Sequence, residues 1–150
     1  MLCFSVFHPA LAVCPLYWTP FEDSCYVILQ DKQSWASSMA MCQAYGAYLV
    51  EISSDEENEF VRGMIRETHS PIWGHWLGAT DEYSESHWLW SHSGRALYYS
   101  NWEEDQPDNY QTSQHCAVMH NNGRWDDGEC DLTLKGICER DGKSNTAVGK

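Results

Sequence analysis

Trp35, Met39 and Cys42 return at helical intervals between Lys32 and Tyr45, with Ser34 placed to cap the segment and Gly46 to end it in a left-handed residue. A helix over about 34–45 is predicted. Tyr48-Leu49-Val50-Glu51-Ile52 reads as a short strand. Ser54-Asp55-Glu56-Glu57 is a capping box with acids in the first turn, which opens a second helix running to about Arg66. Past residue 70 the helical period disappears. Short aromatic-rich runs replace it: Trp76-Leu77-Gly78, Trp88-Leu89-Trp90, Leu97-Tyr98-Tyr99, Ala117-Val118-Met119 and Gly136-Ile137-Cys138. Gly, Ser, Asn and Asp separate them, as expected of short strands joined by turns.

Two long polar connections, 100–115 and 120–131, interrupt this pattern. Loops of that length inside a compact domain either carry function or are disordered. Cys116 and Cys130 bracket the second one, which argues for order. The last ten residues, 141–150, show no periodicity and read as a flexible tail.

Length and charge narrow the function. A chain of 150 residues is one domain that buries roughly 68–70% of its unfolded surface, so its core suffices without a partner. Nine basic against 22 acidic residues give a formal charge of -13, which repels nucleic acid and anionic membranes and favours cations. No stretch reaches 18 uninterrupted apolar residues, so no membrane span is predicted.

Seven cysteines without paired CxxC units point to an oxidising, extracellular compartment rather than a zinc ribbon. Six make three disulfides, and the sequence alone permits 15 pairings of six cysteines. Cys3 is the odd one. It lies in an apolar start, residues 1–13, whose Ala10-Leu11-Ala12 triplet fits a signal-peptidase site, so the segment reads as a removable signal peptide and the product as secreted. A basic n-region is missing and His8-Pro9 breaks the run; the other reading is an ordinary apolar N-terminal strand.

Candidate chemistry sits in the two polar connections. Gln106-Pro107-Asp108 begins ten residues before Cys116, and Trp125-Asp126-Asp127 ends three before Cys130. Gln106, Asp108, Gln114, Asp126 and Asp127 offer side-chain oxygens only, the donor set of Ca²⁺. With no sulfur or imidazole among them, zinc and iron fit poorly. The seven histidines lack HExxH spacing, there is no G-x-S-x-G elbow, and the expected mature chain has no unpaired cysteine, so an enzyme is not expected.

Cys14-Pro15-x-x-Trp18, Cys25-Tyr26, Trp35 ahead of Cys42, Leu49-Val50-x-Ile52, Trp76-Leu77-Gly78, Asn101-Trp102 and the spacing of Cys116, Cys130 and Cys138 together resemble the C-type lectin domain. The match runs from about Cys14 to Glu139, which sets the domain at 14–140. The resemblance implies an α+β fold, two helices packed on two small antiparallel sheets, with an N-terminal hairpin and a long calcium-binding loop region. It also implies the pairs Cys14 with Cys25, Cys42 with Cys138, and Cys116 with Cys130. The second would close a loop of roughly 100 residues, worth up to about 4.7 kcal/mol in the chain-entropy model, and the third one of roughly 15, worth about 3 kcal/mol.

Such lectins carry Glu-Pro-Asn or Gln-Pro-Asp, usually with a cis proline that turns both flanking side chains to one side. The resemblance therefore implies that Gln106, Asp108, Gln114, Asp126 and Asp127 hold Ca²⁺. Gln106, Asp108, Gln114 and Asp126 would also meet sugar hydroxyls, and Tyr110 would stack on the sugar. The Gln-Pro-Asp order resembles members that favour galactose and N-acetylgalactosamine, because exchanging amide and carboxylate exchanges donors and acceptors. Glycans ending in those sugars are the expected partners, with innate recognition or agglutination as the role. Two departures stand out: Gln114 where an acid is usual, and Trp125-Asp126-Asp127 where Trp-Asn-Asp is usual. They offset in charge, leaving three carboxylates around the ion. The loop 109–115 also lacks the glycines that often orient the stacking aromatic.

An auxiliary calcium site at Asp81, Glu85 and Asn109 is implied in weaker form, since Asn109 and His115 stand where acids are common. Solvated acids at a loop start read equally well. Trp18, Trp35, Trp76, Trp102 and Trp125 fall on landmark positions and are assigned to the core. The alternative function is a lectin-like domain that binds protein or mineral surfaces without recognising sugar, because fold alone does not determine function. Once the expected signal peptide and its Cys3 are removed, neither a coiled coil nor a spare cysteine is available to fix an oligomer.

Overall fold

The structure, a computed structural model, describes residues 12–142. Most of the expected signal peptide, Cys3 and residues 143–150 lie outside the described residues. Ala12 donates its N–H to the Glu22 carbonyl at 3.3 Å.

Elements follow in the order β1 (Thr19–Phe21), β2 (Ser24–Ile28), α1 (Trp35–Ala44), β3 (Tyr48–Leu49), α2 (Asp55–Glu67), β4 (Gly74–Thr80) and β5 (Leu89–Trp90). A 3-10 turn over Tyr110–Thr112 precedes β6 (Cys116–His120), β7 (Trp125–Gly128) and β8 (Lys135–Asp141). Both helices start where the caps predict. Ser34 Oγ accepts the Ser37 N–H and Ser54 Oγ the Glu57 N–H, each at 3.1 Å. Gly46, at φ 68°, closes α1 in the left-handed region that a glycine adopts without cost. Val61 and Ile65, four apart, form the buried stripe of α2.

Two antiparallel groups form the expected sheets: β1-β2-β8 with β3 on β8, and β4-β6-β7 with β5 on β4. A parallel contact, His75 with Lys135 and Trp76 with Gly136, joins them into one mixed sheet. Gly78 lies where β4 passes β3 so closely that a side chain would meet the Leu49 carbonyl. The strand expected over 48–52 is shorter, because after Leu49 only Val50 continues toward β8, through its N–H to the Ile137 carbonyl.

Leu97-Tyr98-Tyr99 forms no strand. Leu97 and Tyr99 pack into the core while Tyr98 is exposed, and the run keeps one backbone bond to the Trp88 carbonyl. All three disulfides follow the implied pairing. Trp35, Trp76 and Trp125 are buried, whereas Trp18 and Trp102 are only partly so. Among the described residues no helix is long and apolar enough to cross a membrane.

Candidate calcium and sugar site

Trp125 anchors the site. Its indole N–H donates to Asn58 Oδ1 of α2 at 2.8 Å, and Asn58 Nδ2 donates to the Gly123 carbonyl at 3.0 Å, clamping the β6–β7 hairpin to the helix. Trp88, Trp102, Trp90 and Tyr99 pack edge-on around this ring or one another. The chain at 101–103 is fastened beside β7: Trp125 N–H donates to the Asn101 carbonyl, and Glu103 N–H to the Trp125 carbonyl. The 104–115 loop thus leaves from the same rigid platform that carries Asp126 and Asp127.

Within the loop the Gln106–Pro107 bond is cis. Side-chain oxygens converge on three consecutive backbone N–H groups. Asp108 N–H donates to Gln106 Oε1 at 3.0 Å and to Asp127 Oδ1 at 3.1 Å. Asn109 N–H donates to Asp127 Oδ2 at 2.6 Å. Tyr110 N–H reaches Asp108 Oδ1 at 3.2 Å and Gln114 Oε1 at 3.0 Å. Asn109 Oδ1 accepts the Gln114 N–H at 3.0 Å, which closes the turn. Four of the five expected ligands, Gln106, Asp108, Gln114 and Asp127, therefore surround one short stretch of backbone. Asp126 turns elsewhere in this arrangement and meets His120 Nε2 at 3.2 Å.

Asp127 is 2% exposed. Burial raises its carboxyl above the ordinary value; the N–H groups of Asn109 and Asp108 pull it back, and the charge of Asp126 adds to the rise. Among the described residues no Lys or Arg pairs with it. A buried carboxylate held by N–H donors alone, with amide and carboxylate oxygens beside it, fits a hard dication. Each of those oxygens keeps a lone pair beyond its hydrogen bond.

Tyr110 stands 63% exposed at the start of the 3-10 turn. Its N–H is shared between Asp108 and Gln114, so ring and ligands are positioned together. The glycine-free loop takes up conformations typical of glycine all the same: φ is 46° at Asn109, 56° at Gln111 and 60° at Thr112. For β-branched Thr112 this is a genuine strain.

The expected auxiliary residues also meet. Asn109 Nδ2 donates to Glu85 Oε1 at 2.8 Å, and His115 Nδ1 lies 2.9 Å from Asp81 Oδ1. Burial lowers the His115 imidazole, but the hydrogen bond it donates to Asp81 and the charges of Asp81 and Glu85 outweigh it, so the net direction is upward. His120 is the site contact the sequence did not disclose. Its signal was the Asn122-Gly123 turn, which sets the β6–β7 register at Val118 with Asp126 and leaves His120 within diagonal reach.

The sequence profile of the lectin C-type domain matches residues 31–140. The chain belongs to the C-type lectin domain family. That family is generally made of non-enzymatic, carbohydrate-binding domains that bind Ca²⁺. A perlucin-like protein of Mytilus galloprovincialis is 34% identical over 128 residues, spanning 83% of this chain and 81% of the relative. Human C-type lectin domain family 10 member A is 33% identical over 132 residues, 84% of this chain but 40% of that longer protein. The mouse scavenger receptor C-type lectin carbohydrate-recognition domain superposes with TM-score 0.78 at 32% identity, covering 87% of this chain and 98% of that one. A calcium-independent type II antifreeze protein superposes equally well, TM-score 0.78, at 25% identity over 91% of this chain and all of that one.

Proposed function

We propose that this C-type lectin domain is a secreted, calcium-dependent receptor for terminal galactose or N-acetylgalactosamine. The observation that carries the reading is the convergence of Gln106, Asp108, Gln114 and Asp127 oxygens on the 108–110 backbone, with the buried Asp127 carboxylate paired to no Lys or Arg among the described residues. Asp126 completes the set by leaving His120 for the loop. When bound, the ion supplies open coordination positions for two vicinal sugar hydroxyls.

This chain's residues do the rest. Gln106 accepts through its oxygen and donates through its amide, while Asp108 only accepts, so the pair fixes the direction of each hydroxyl bond. The amide-then-acid order favours the galactose arrangement, and exposed Tyr110 offers a face for the apolar side of that ring. Similarity to carbohydrate-recognition domains supports sugar as the ligand class. Disulfide-linked architecture supports an extracellular location.

A galactose resin in millimolar calcium retains the protein, and chelator releases it. Retention that chelator does not touch overturns the mechanism; sugar-independent capture by protein or mineral surfaces supports the alternative function instead.

A further inference from the structure

Asp81 directly follows β4 and His115 directly precedes β6, two antiparallel neighbours paired at Thr80 and Cys116. The strand ends are locked together: Asp81 N–H and Thr80 Oγ1 both donate to the His115 carbonyl, at 3.2 and 2.7 Å. Glu85 is brought back by a tight turn, in which Ser84 N–H donates to the Asp81 carbonyl at 3.1 Å. One atom from each of these three side chains lies within 4.8 Å of the other two. The only comparable convergence among the described residues, Glu82 with Cys116 and Cys130, has its sulfurs committed to a disulfide.

We propose that Asp81, Glu85 and His115 bind a first-row transition-metal dication such as zinc, where the family pattern leads one to expect a second calcium. The donor set decides the metal. Calcium takes six to eight oxygens, whereas an imidazole with two carboxylates suits zinc and its neighbours. The geometry agrees. Tetrahedral zinc with bonds of about 2.0–2.2 Å separates neighbouring ligand atoms by about 3.3 Å. His115 Nδ1 stands 3.4 Å from Glu85 Oε2 and 2.9 Å from Asp81 Oδ1, so the second pair opens by only a few tenths of an ångström.

Supporting contacts orient the ligands. The spare oxygen of each carboxylate is already occupied: Ser86 N–H donates to Asp81 Oδ2 at 2.9 Å, and Asn109 Nδ2 to Glu85 Oε1 at 2.8 Å. That leaves Oδ1 and Oε2 facing Nδ1, the outer arrangement that fixes metal ligands. Asp81 is buried, His115 and Glu85 are progressively more exposed, and solvent can supply a fourth ligand. The proposal is independent of the calcium and sugar reading, since none of the three residues is placed in that ligand set.

Metal-free full-length protein is titrated with Zn²⁺ by calorimetry in millimolar calcium, and with Co²⁺ by visible absorption. One zinc per chain that calcium does not displace, weakened more than tenfold by His115→Gln and by Glu85→Gln, is the expected result. Exposed His69→Gln leaves it unchanged. Glu85 is half exposed, so its variant keeps the measurement informative if His115→Gln fails to fold. No zinc uptake by the wild type, displacement by calcium, or uptake indifferent to both site variants overturns the proposal.

Discussion

Two parts of this acidic domain bury carboxylates, and they satisfy them differently. On the β8 side, Glu139 Oε1 accepts the Ser24 hydroxyl at 2.9 Å and Oε2 the Glu51 N–H at 3.2 Å. Its neighbour Glu57 accepts the Tyr26 hydroxyl at 2.8 Å and both the N–H and hydroxyl of Ser53. The two acids line a cavity of about 210 Å³ with Tyr48 and Trp90. Burial, followed by the charge of Glu57, raises Glu139 to about 7, so this pair can hold a proton near neutrality. On the loop side, Asp127 meets backbone N–H groups and stands among further oxygens with no hydroxyl donor. A crowded acid relieved by a proton closes a structure. One buried among further oxygens beneath an exposed loop is suited to a cation, and that difference separates the scaffold from the candidate site.

The comparison breaks most sharply at Asp127. Asp127→Asn should weaken calcium-dependent retention on galactose resin by more than about tenfold, the equivalent of 1.4 kcal/mol, while circular dichroism stays native. The same retention with an intact fold would remove Asp127 from the ligand set.

Glu139→Gln is the matching change on the β8 side and should leave sugar retention alone. Glu139 stands at about 7 in the fold against an ordinary 4.5, so between those values the folded chain keeps a proton the unfolded chain has lost. Stability from this group is full below pH 4.5 and is lost as pH rises through 7. Relative to the Gln variant, the wild type should therefore lose stability across that window, by of order 3 kcal/mol. Buried His75 slopes the other way. Burial and the charge of Lys135 lower it to about 4, so its contribution is lost as pH falls below 6.5. Denaturant titrations of both proteins at each pH cancel that slope in the difference; a flat difference would contradict the protonated Glu139.

A smaller effect is expected at the loop strain. Thr112→Gly removes a β-branched residue from a left-handed position and should stabilise the fold by about 1 kcal/mol in denaturant titration. Destabilisation would mean the conformation is not held against Thr112's preference.

Helices were legible because their signals are local: Ser34, Gly46 and the Ser54 to Glu57 box each act within a turn. Strand extents were less so. Leu97-Tyr98-Tyr99 has a strand's composition, yet the core around Trp125 takes Leu97 and Tyr99 without supplying a ladder. The disulfide pairs were legible only through family resemblance, since spacing leaves many pairings open. Asp126 with His120 required a hairpin register. Glu57 with Glu139 and His75 with Lys135 are brought together by β8, a strand that contacts both sheet groups from the far end of the chain.

If calcium and galactose share one ligand set, as proposed, each must raise the affinity for the other by the same factor. Calorimetric titration of galactose at saturating calcium and after chelation, paired with calcium titration with and without galactose, tests the coupling from both sides. Galactose heat at saturating calcium with none after chelation, and calcium bound more tightly when galactose is present, are predicted. Galactose binding of unchanged Kd in the chelated protein would contradict the shared site.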